Sequence, residues 1–421
     1  MSRPTGHTLT THRLIRRIAI LSVSLSLALI SACGVSDRGT SAGTSNIPTP
    51  VVMPNTTDAI QSPETAVQVQ NVKLRKVHVD KTLKGWVLTD QGVLWTDNFT
   101  HNLKDKTLPP QVKPDEIGDV FFLDEQHSWL VLNRLRPGAT NPADLLVLRS
   151  TDNGQSWLRS SLYPDYREYV DQPGEVAGVE FVDPQHGWVM LRNVSSAAVD
   201  KGLLFRTTDG GESWSRVSAP SGQPVHFISQ QDGWTTNIPL ALLYATHDGG
   251  ITWEKQALPQ IAEPTPNGII PSYELPTFFN DQEGILPVTL AGEQQSISFY
   301  TTQDGGRSWN LAAQEATLLP GSPFGTMPTA VITAQEWMLF LPNGKVRKTS
   351  DSGKHWDEQD VPSLAAGITN VSFASQAQGW GLSSVGKCAA PKSQCSIQTQ
   401  IMITEDGGHT WTATATFTNP S

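Results

Sequence analysis

One short pattern constrains this chain more than any other feature. Thr/Ser-x-Asp-x-Gly-x-Ser/Thr-Trp recurs as STDNGQSW (150–157), TTDGGESW (207–214), THDGGITW (246–253), TQDGGRSW (302–309), SDSGKHW (350–356) and TEDGGHTW (404–411). Asp and Trp keep the same spacing throughout: Asp152/Trp157, Asp209/Trp214, Asp248/Trp253, Asp304/Trp309, Asp351/Trp356 and Asp406/Trp411. A seventh, decayed copy reads WTDNFTHN (95–102), with Asp97 kept and Asn102 where Trp would fall. An Asp opening a tight turn accepts bonds from the next backbone N–H groups, and the Gly behind it supplies a positive φ. The Trp that follows is expected to pack between neighbouring units. A mechanical role thus accounts for the pattern without catalysis or metal binding.

A second element precedes most copies: apolar-x-Phe, a polar turn, then Gly-Trp. VEFVDPQHGW (179–188), VHFISQQDGW (225–234) and VSFASQAQGW (371–380) show it cleanly. FFLDEQHSW (121–129), TAQEWM (333–338) and LKGW (83–86) are looser, and TFFNDQEGI (277–285) puts Ile285 where Trp would stand. The two elements together account for all but Trp95 of the 13 Trp, which weighs against a separate Trp platform for carbohydrate. Each unit reads as four short strands bounded by Gly, Asp, Asn and Pro. Seven such meanders, roughly 40–57 residues apart by their Asp, have the period of propeller blades. One four-stranded sheet cannot cover its own faces, so blades must stack around an axis and close. The expected fold is all-β: a seven-bladed β-propeller over 67–421. VQVQNVKLRKVHV (67–79) and TWTATATF (410–417) are candidates to share the closing blade.

The N-terminal part has a different composition. A basic segment ending in Arg16–Arg17 leads into an apolar run over 18–32, too short for a comfortable membrane span and of signal-peptide length. The run ends Ile30-Ser31-Ala32-Cys33, which resembles the bacterial lipoprotein signal. That resemblance implies residues 1–32 as a signal peptide, lipidation of Cys33, and export to the extracytoplasmic side of a bacterial cell membrane. Residues 33–66, rich in Ser, Thr and Pro, read as a disordered tether. Cys388 and Cys395 flank CAAPKSQC in a B–C loop, and in an oxidising compartment they are expected to form a disulfide.

Composition narrows the functional classes. With 30 Lys+Arg against 40 Asp+Glu, the chain carries a formal charge of −10, which argues against a nucleic-acid binder. Three Cys are too few for a disulfide scaffold or a Cys₄ zinc site, and HExxH, P-loop and CxxC motifs are absent. No metal or cofactor is therefore expected.

The turn with its Asp and Trp resembles the Asp-box, or bacterial neuraminidase repeat. It occurs in sialidases, sortilin-type receptors, some xyloglucanases and the photosystem II assembly and stability factors. The last group is most similar, since its blades combine Phe-x-Asp-x-x-x-Gly-Trp with Thr-x-Asp-Gly-Gly-x-x-Trp. The resemblance implies seven blades and a protein ligand on an Arg-rich face. The sialidase reading fares worse: no Arg-Ile-Pro occurs, and Arg136 is followed directly by Pro137. A xyloglucanase-type cleft would need a second propeller. The reading favoured is thus a non-enzymatic, membrane-tethered scaffold that binds a protein on the envelope surface. The alternative is a divergent sialidase-like glycoside hydrolase or a glycan-binding protein.

Strand order places the A–B and C–D turns on one face and the B–C and D–A loops on the other. Only the second set varies in length and sequence, so a specific site is expected there. Tyr163, Tyr166 and Tyr169 crowd one connection with Arg167, and Arg134, Arg136 and Arg192 lie in nearby segments. Tyr and Arg are enriched anchors of protein interfaces, so these seven form the candidate binding face.

Overall fold

A computed structural model describes residues 67–70, 72–79, 83–97, 103–133, 145–162, 175–193, 201–237, 241–261, 270–291, 295–316, 327–341, 344–361, 367–389 and 394–418. They form strands and one 3₁₀ turn, Pro114–Glu116. The strands build seven antiparallel meanders, the blades of a seven-bladed β-propeller. Blade 3 is representative. Its strands are A (Glu175–Phe181), B (Gly187–Asn193), C (Lys201–Thr207) and D (Ser215–Val217), paired in that order. The A strands lie innermost, where that of blade 3 touches those of blades 2 (Ile117–Phe122) and 4 (Val225–Phe227). Burial follows this order. Strand B of blade 1, Gly85–Thr89, is buried at every position, because neighbouring blades cover both its faces. Outer D strands such as Asp357–Asp360 are charged and largely exposed.

The hydrophobic core is seven clusters, and each lies between two consecutive blades. Trp86, Phe122 and Leu130 join blades 1 and 2, and Trp129, Phe181 and Trp214 join 2 and 3. Interfaces 3/4, 4/5, 5/6 and 6/7 each have their own cluster. The seventh cluster sets Val72 and Val87 of the first blade against Ile401, Ala415 and Phe417 of the last. An open stack of seven blades has six interfaces, so the seventh is what closes the ring.

The chain ends meet as the sequence suggested, with a change of detail. Val67–Gln70 joins blade 7, pairing with Thr412–Thr418 from Val67 opposite Ala415 to Gln70 opposite Thr418. The pairing is parallel and adds a fifth strand outside a blade that already has its own four. Leu74–Val79 goes instead to strand A of blade 1.

One aromatic device recurs at the interfaces. The Phe ending strand A lies opposite the Gly that opens strand B, as Phe181 opposite Gly187 and Phe227 opposite Gly233. The strand-B Trp of the preceding blade stacks on that Phe: Trp129 on Phe181 and Trp188 on Phe227, both at 3.6 Å, and Trp234 on Phe278 at 4.8 Å. The Trp of the same blade's Asp turn closes the set edge-on, as Trp214 does against Phe181 at 83° and Trp253 against Phe227 at 73°. Offset and edge-on rings match the aromatic quadrupole while burying large areas.

Blade 6 departs from the sequence alignment of the Trp. Val331 pairs with Trp337, so Trp337 stands at the glycine position and Met338 at the tryptophan position. A one-residue slip reverses the face a side chain takes. Trp337 therefore points back toward blade 5, stacking on Phe299 at 4.8 Å and packing beside Ile285. It fills the volume left where blade 5 has Ile285 in place of Trp.

Candidate functional site

Each intact Asp turn is a closed hydrogen-bond unit. In blade 3 the Ser213 backbone N–H donates to Asp209 Oδ1 at 3.0 Å, and the Ser213 hydroxyl donates to Oδ2 at 2.5 Å. The Thr207 hydroxyl donates to Asp209 Oδ1 at 2.7 Å and accepts from the Gly211 N–H at 2.8 Å. Asp152, Asp248, Asp304 and Asp406 repeat the arrangement. At Asp351 the His355 ring nitrogen replaces the hydroxyl, at 2.6 Å. Burial opposes ionisation of Asp209, but the bonds from Ser213 and Thr207 outweigh it and hold the carboxyl at about 2. These carboxylates already accept at least three bonds each, so they are turn caps. Asp97, in the decayed copy, is exposed.

The turns also tie blade to blade. Trp129 Nε1 donates to the Gly210 carbonyl at 2.8 Å, and Trp188 Nε1 to the Gly249 carbonyl at 3.0 Å. Arg149 and Arg206, at the ends of C strands, donate to the Asp209 and Asp248 carbonyls of the next blade. At the 6/7 interface Lys348 takes the Gly407 carbonyl, the counterpart of the Gly210 and Gly249 carbonyls that Trp129 and Trp188 take. The turn Trp reach backward: Trp214 Nε1 donates to Ser160 Oγ at 3.1 Å and Trp253 Nε1 to the Ser218 carbonyl at 3.0 Å. Trp157, Trp309, Trp356 and Trp411 pack in the clusters shared with the preceding blade.

What remains chemically distinctive lies on the inner wall formed by the A strands. Asp119 of blade 2 is buried, takes Lys76 of blade 1 at 2.6 Å and accepts the Val179 N–H of blade 3 at 2.9 Å. Glu180 of blade 3 holds the His226 ring of blade 4 at 2.8 Å. Burial disfavours the imidazolium, but the Glu180 carboxylate overcomes this and raises the His226 pKa above its ordinary value. Glu274 of blade 5 accepts the Thr329 hydroxyl of blade 6 at 2.7 Å. Burial pushes its carboxyl up to about 8 against the opposing effect of that bond. None of these three carboxylates was singled out from the sequence. The available signal was an acidic residue inside an otherwise apolar A strand, as in IGDVFF and VEF.

Of the seven candidate face residues, Arg134, Arg136, Tyr163, Tyr166, Arg167 and Tyr169 lie outside the described residues. Arg192 is half-buried near the end of strand B of blade 3. Its Nε donates to the Gly222 carbonyl at 3.1 Å and its Nη2 to Gln223 Oε1 at 2.9 Å, fastening the connection into blade 4. Cys33 also lies outside the described residues. Cys388 and Cys395 stand directly opposite each other in the B–C hairpin of blade 7. Among the described residues no group of three or more His, Cys, Asp and Glu is placed to hold a metal ion.

The repeat chemistry matches a known family model, that of the photosynthesis system II assembly factor YCF48. Two overlapping matches, residues 167–327 and 222–389, together span more than half of the chain. The chain belongs to the YCF48 family. No curated protein matches it. Among solved structures it is similar to YCF48 from Cyanidioschyzon merolae, at 19% identity and TM-score 0.46 over 74% of this chain and 87% of that one. YCF48 bound to D1 peptide matches at 18% identity and TM-score 0.40, over 71% of this chain and 81% of that one. A GH74 enzyme from Niastella koreensis matches at 13% and TM-score 0.47, over 82% of this chain and 66% of that one.

Proposed function

We propose that this YCF48-family protein is a lipid-anchored, extracytoplasmic scaffold that binds a protein partner. Membership of a family described as an assembly factor is the observation that carries the reading. The use of the repeat residues supports it. The Asp carboxylates and the Trp of the turns are committed to capping and to blade contacts, which leaves specificity to segments outside the repeat. In this reading Cys33 carries the lipid, residues 34–66 act as a tether, and the partner is met on the B–C and D–A face at blades 2 and 3. Charge there comes from Arg134, Arg136 and Arg167, with Tyr163, Tyr166 and Tyr169 as anchors. Arg192 supports this face by fixing the adjacent connection.

The test has two parts. Labelling with a fatty acid marks the wild-type protein and is lost in Cys33→Ser; label retained in that variant refutes the anchor. Crosslinking in the native membrane captures a discrete partner, and charge reversal at Arg136 and Arg167 reduces capture while the melting temperature stays within a few degrees. Undiminished capture by that variant, with loss of capture on changing a folded Asp-turn surface residue, refutes the face.

A further inference from the structure

Glu274 is a carboxyl that the repeat does not require. Strand A of blade 5 is split into Ile270–Tyr273 and Thr277–Phe278, and both halves pair with strand B, Gly284–Ala291. Tyr273 lies opposite Val288 and Thr277 opposite Ile285, so four steps on one strand meet three on the other. This is a bulge, and the A–B pairs of blades 1, 2 and 3 carry the same one at the same register. Pro287 occupies strand B at this point; its carbonyl accepts the Glu274 N–H at 3.1 Å, but proline has no N–H to return. Bulges re-aim side chains. Here Glu274 borders a cavity of about 230 Å³ between the A strands of blades 5, 6 and 7. Thr277, Thr329, Ile332, Ser372 and Phe373 contribute to its walls, and among the described residues Glu274 is the one ionisable group in that lining. Protein surrounds the carboxyl, yet the residue keeps partial access to solvent. Thr329 donates to Oε2.

We propose that this cavity binds a primary alkylammonium group, with Glu274 as its counter-ion. The chemistry of the walls fits each part of such a ligand. An ammonium has three N–H donors and no acceptor; a carboxylate and hydroxyl oxygens supply what it needs. The Ile332 and Phe373 side chains suit an alkyl stem, and a phenyl ring attracts a cation. The volume lies below the roughly 300–1,000 Å³ typical of drug-sized ligands, which favours a single side chain or a small free amine. Among the described residues no cation lines the cavity, so the charge that Glu274 would pair with comes from the ligand. The raised carboxyl pKa has a consequence for the binding step. At neutral pH the acid is protonated. When the ammonium enters, the Glu274 O–H bond breaks, the proton passes to buffer, and the carboxylate and ammonium form an ion pair. The inference stands apart from the scaffold reading, because a free amine and a partner's lysine side chain present the same group.

Calorimetric titration of the full chain at pH 7 tests it, in two buffers of different ionisation enthalpy. The probes are n-butylammonium, an N-acetylated Ala-Lys-Ala peptide amide, and that peptide with its lysine acetylated. The expected result is saturable binding of at least one of the first two, with about one proton released per ligand at a group this far raised. The acetylated peptide does not bind. Glu274→Gln, which retains an acceptor for Thr329, weakens binding by about tenfold or more, as expected on losing a charged hydrogen-bond partner, and abolishes proton release. Butylammonium alone binding identifies a free amine as the source, and peptide binding identifies a lysine side chain; either supports the site. Absence of saturable binding by both, binding without proton release, or undiminished binding in folded Glu274→Gln overturns it. Should that variant fail to fold, the wild-type proton count decides.

Discussion

Gly233→Ala is predicted to destabilise the propeller through a single methyl group. Gly233 lies opposite Phe227 in the A–B ladder of blade 4. A Cβ built on Gly233 meets the Phe227 ring at 2.5 Å from Cδ1, 2.6 Å from Cε1 and 2.8 Å from Cγ. Carbon atoms settle at about 3.5–4.0 Å, so the ring must retreat by roughly 1 Å. It has little room to do so: Trp188 is already stacked on it at 3.6 Å and 2°, Trp253 stands edge-on at 6.1 Å, and Phe227 is only 2% exposed. Overpacking of this kind costs about 1–3 kcal/mol, and the entropy gained on replacing glycine in a strand returns about 0.5–1 kcal/mol. A net loss of about 1 kcal/mol is expected. Guanidinium unfolding followed by Trp fluorescence would show the midpoint falling by several tenths of a molar, given slopes of a few kcal/mol per molar. The double variant with Phe227→Leu should be less destabilised than the sum of its parts, because the smaller side chain relieves the clash. A midpoint for Gly233→Ala indistinguishable from wild type, or strict additivity in the double variant, would refute the reasoning.

The molecule already holds the reciprocal case in blade 2, where Ser128 occupies the glycine position opposite Phe122. Phe122 is tilted by 51° at 6.0 Å from Trp86 instead of stacked, the Ser128 hydroxyl is buried without a partner among the described residues, and a cavity of about 540 Å³ opens beside Trp86; Ser128→Gly should therefore be neutral or stabilising in the same assay. Trp129→Phe keeps a ring on Phe181 but loses the bond to the Gly210 carbonyl, leaving that acceptor short of a donor, and should cost at least about 1 kcal/mol. Asp209 has a folded pKa of about 2, below its unfolded value, so its contribution is present above about pH 4 and is lost as pH falls toward 2. After allowance for partial exposure that contribution is about 1 kcal/mol, and Asp209→Asn should flatten stability against pH in that window alone. Cys388 and Cys395 are directly opposed on antiparallel strands, a spacing of about 4.5–5.5 Å between Cα atoms, inside the range a disulfide spans; unreduced protein should show no free thiol at either position by mass spectrometry.

The fold was legible because its repeat is written in residues with few alternative uses. Asp, Gly and Trp at fixed spacing specify a turn, its positive φ and a ring that must be buried, and the blade count follows from counting turns. What the sequence obscured is register. TAQEWM looks like the Phe-to-Trp element of the other blades, and only the ladder shows Trp337 one residue early and facing backward. Periodicity of two cannot reveal such a slip when a strand is buried on both faces, because Trp337–Phe340 is apolar at every position. Ring closure was half legible for a related reason. Strand character is evident in VQVQ, but whether a strand pairs parallel outside a blade or antiparallel inside it depends on partners far away in sequence. The candidate face follows from which loops vary and from their Tyr and Arg content, and of its residues the structure describes Arg192. An Arg among variable loops is equally useful as an anchor for a neighbouring carbonyl.

Departures from the repeat are informative in proportion to how much structure they disturb. Where Ile285 replaces Trp, Trp337 compensates, and the interface stays filled. That departure is absorbed by packing and implies no ligand. Where Ser128 replaces Gly, the stacked pair opens and a cavity remains, but the disturbance is confined to one ring and one hydroxyl. Around Glu274 two departures coincide: a proline in strand B, and a carboxyl at the bulged position bordering a cavity that no cation lines among the described residues. Packing gains nothing from burying that group, since a protonated acid held against its ordinary ionisation costs stability at neutral pH. Glu274→Gln in the unliganded protein should accordingly raise the melting temperature at pH 8 more than at pH 5. The acid's folded pKa exceeds its unfolded one, so wild-type stability falls between those values while the glutamine variant does not titrate. An equal effect at both pH values would show that the carboxyl is not held protonated, and would remove the argument that the site is maintained at a cost to stability.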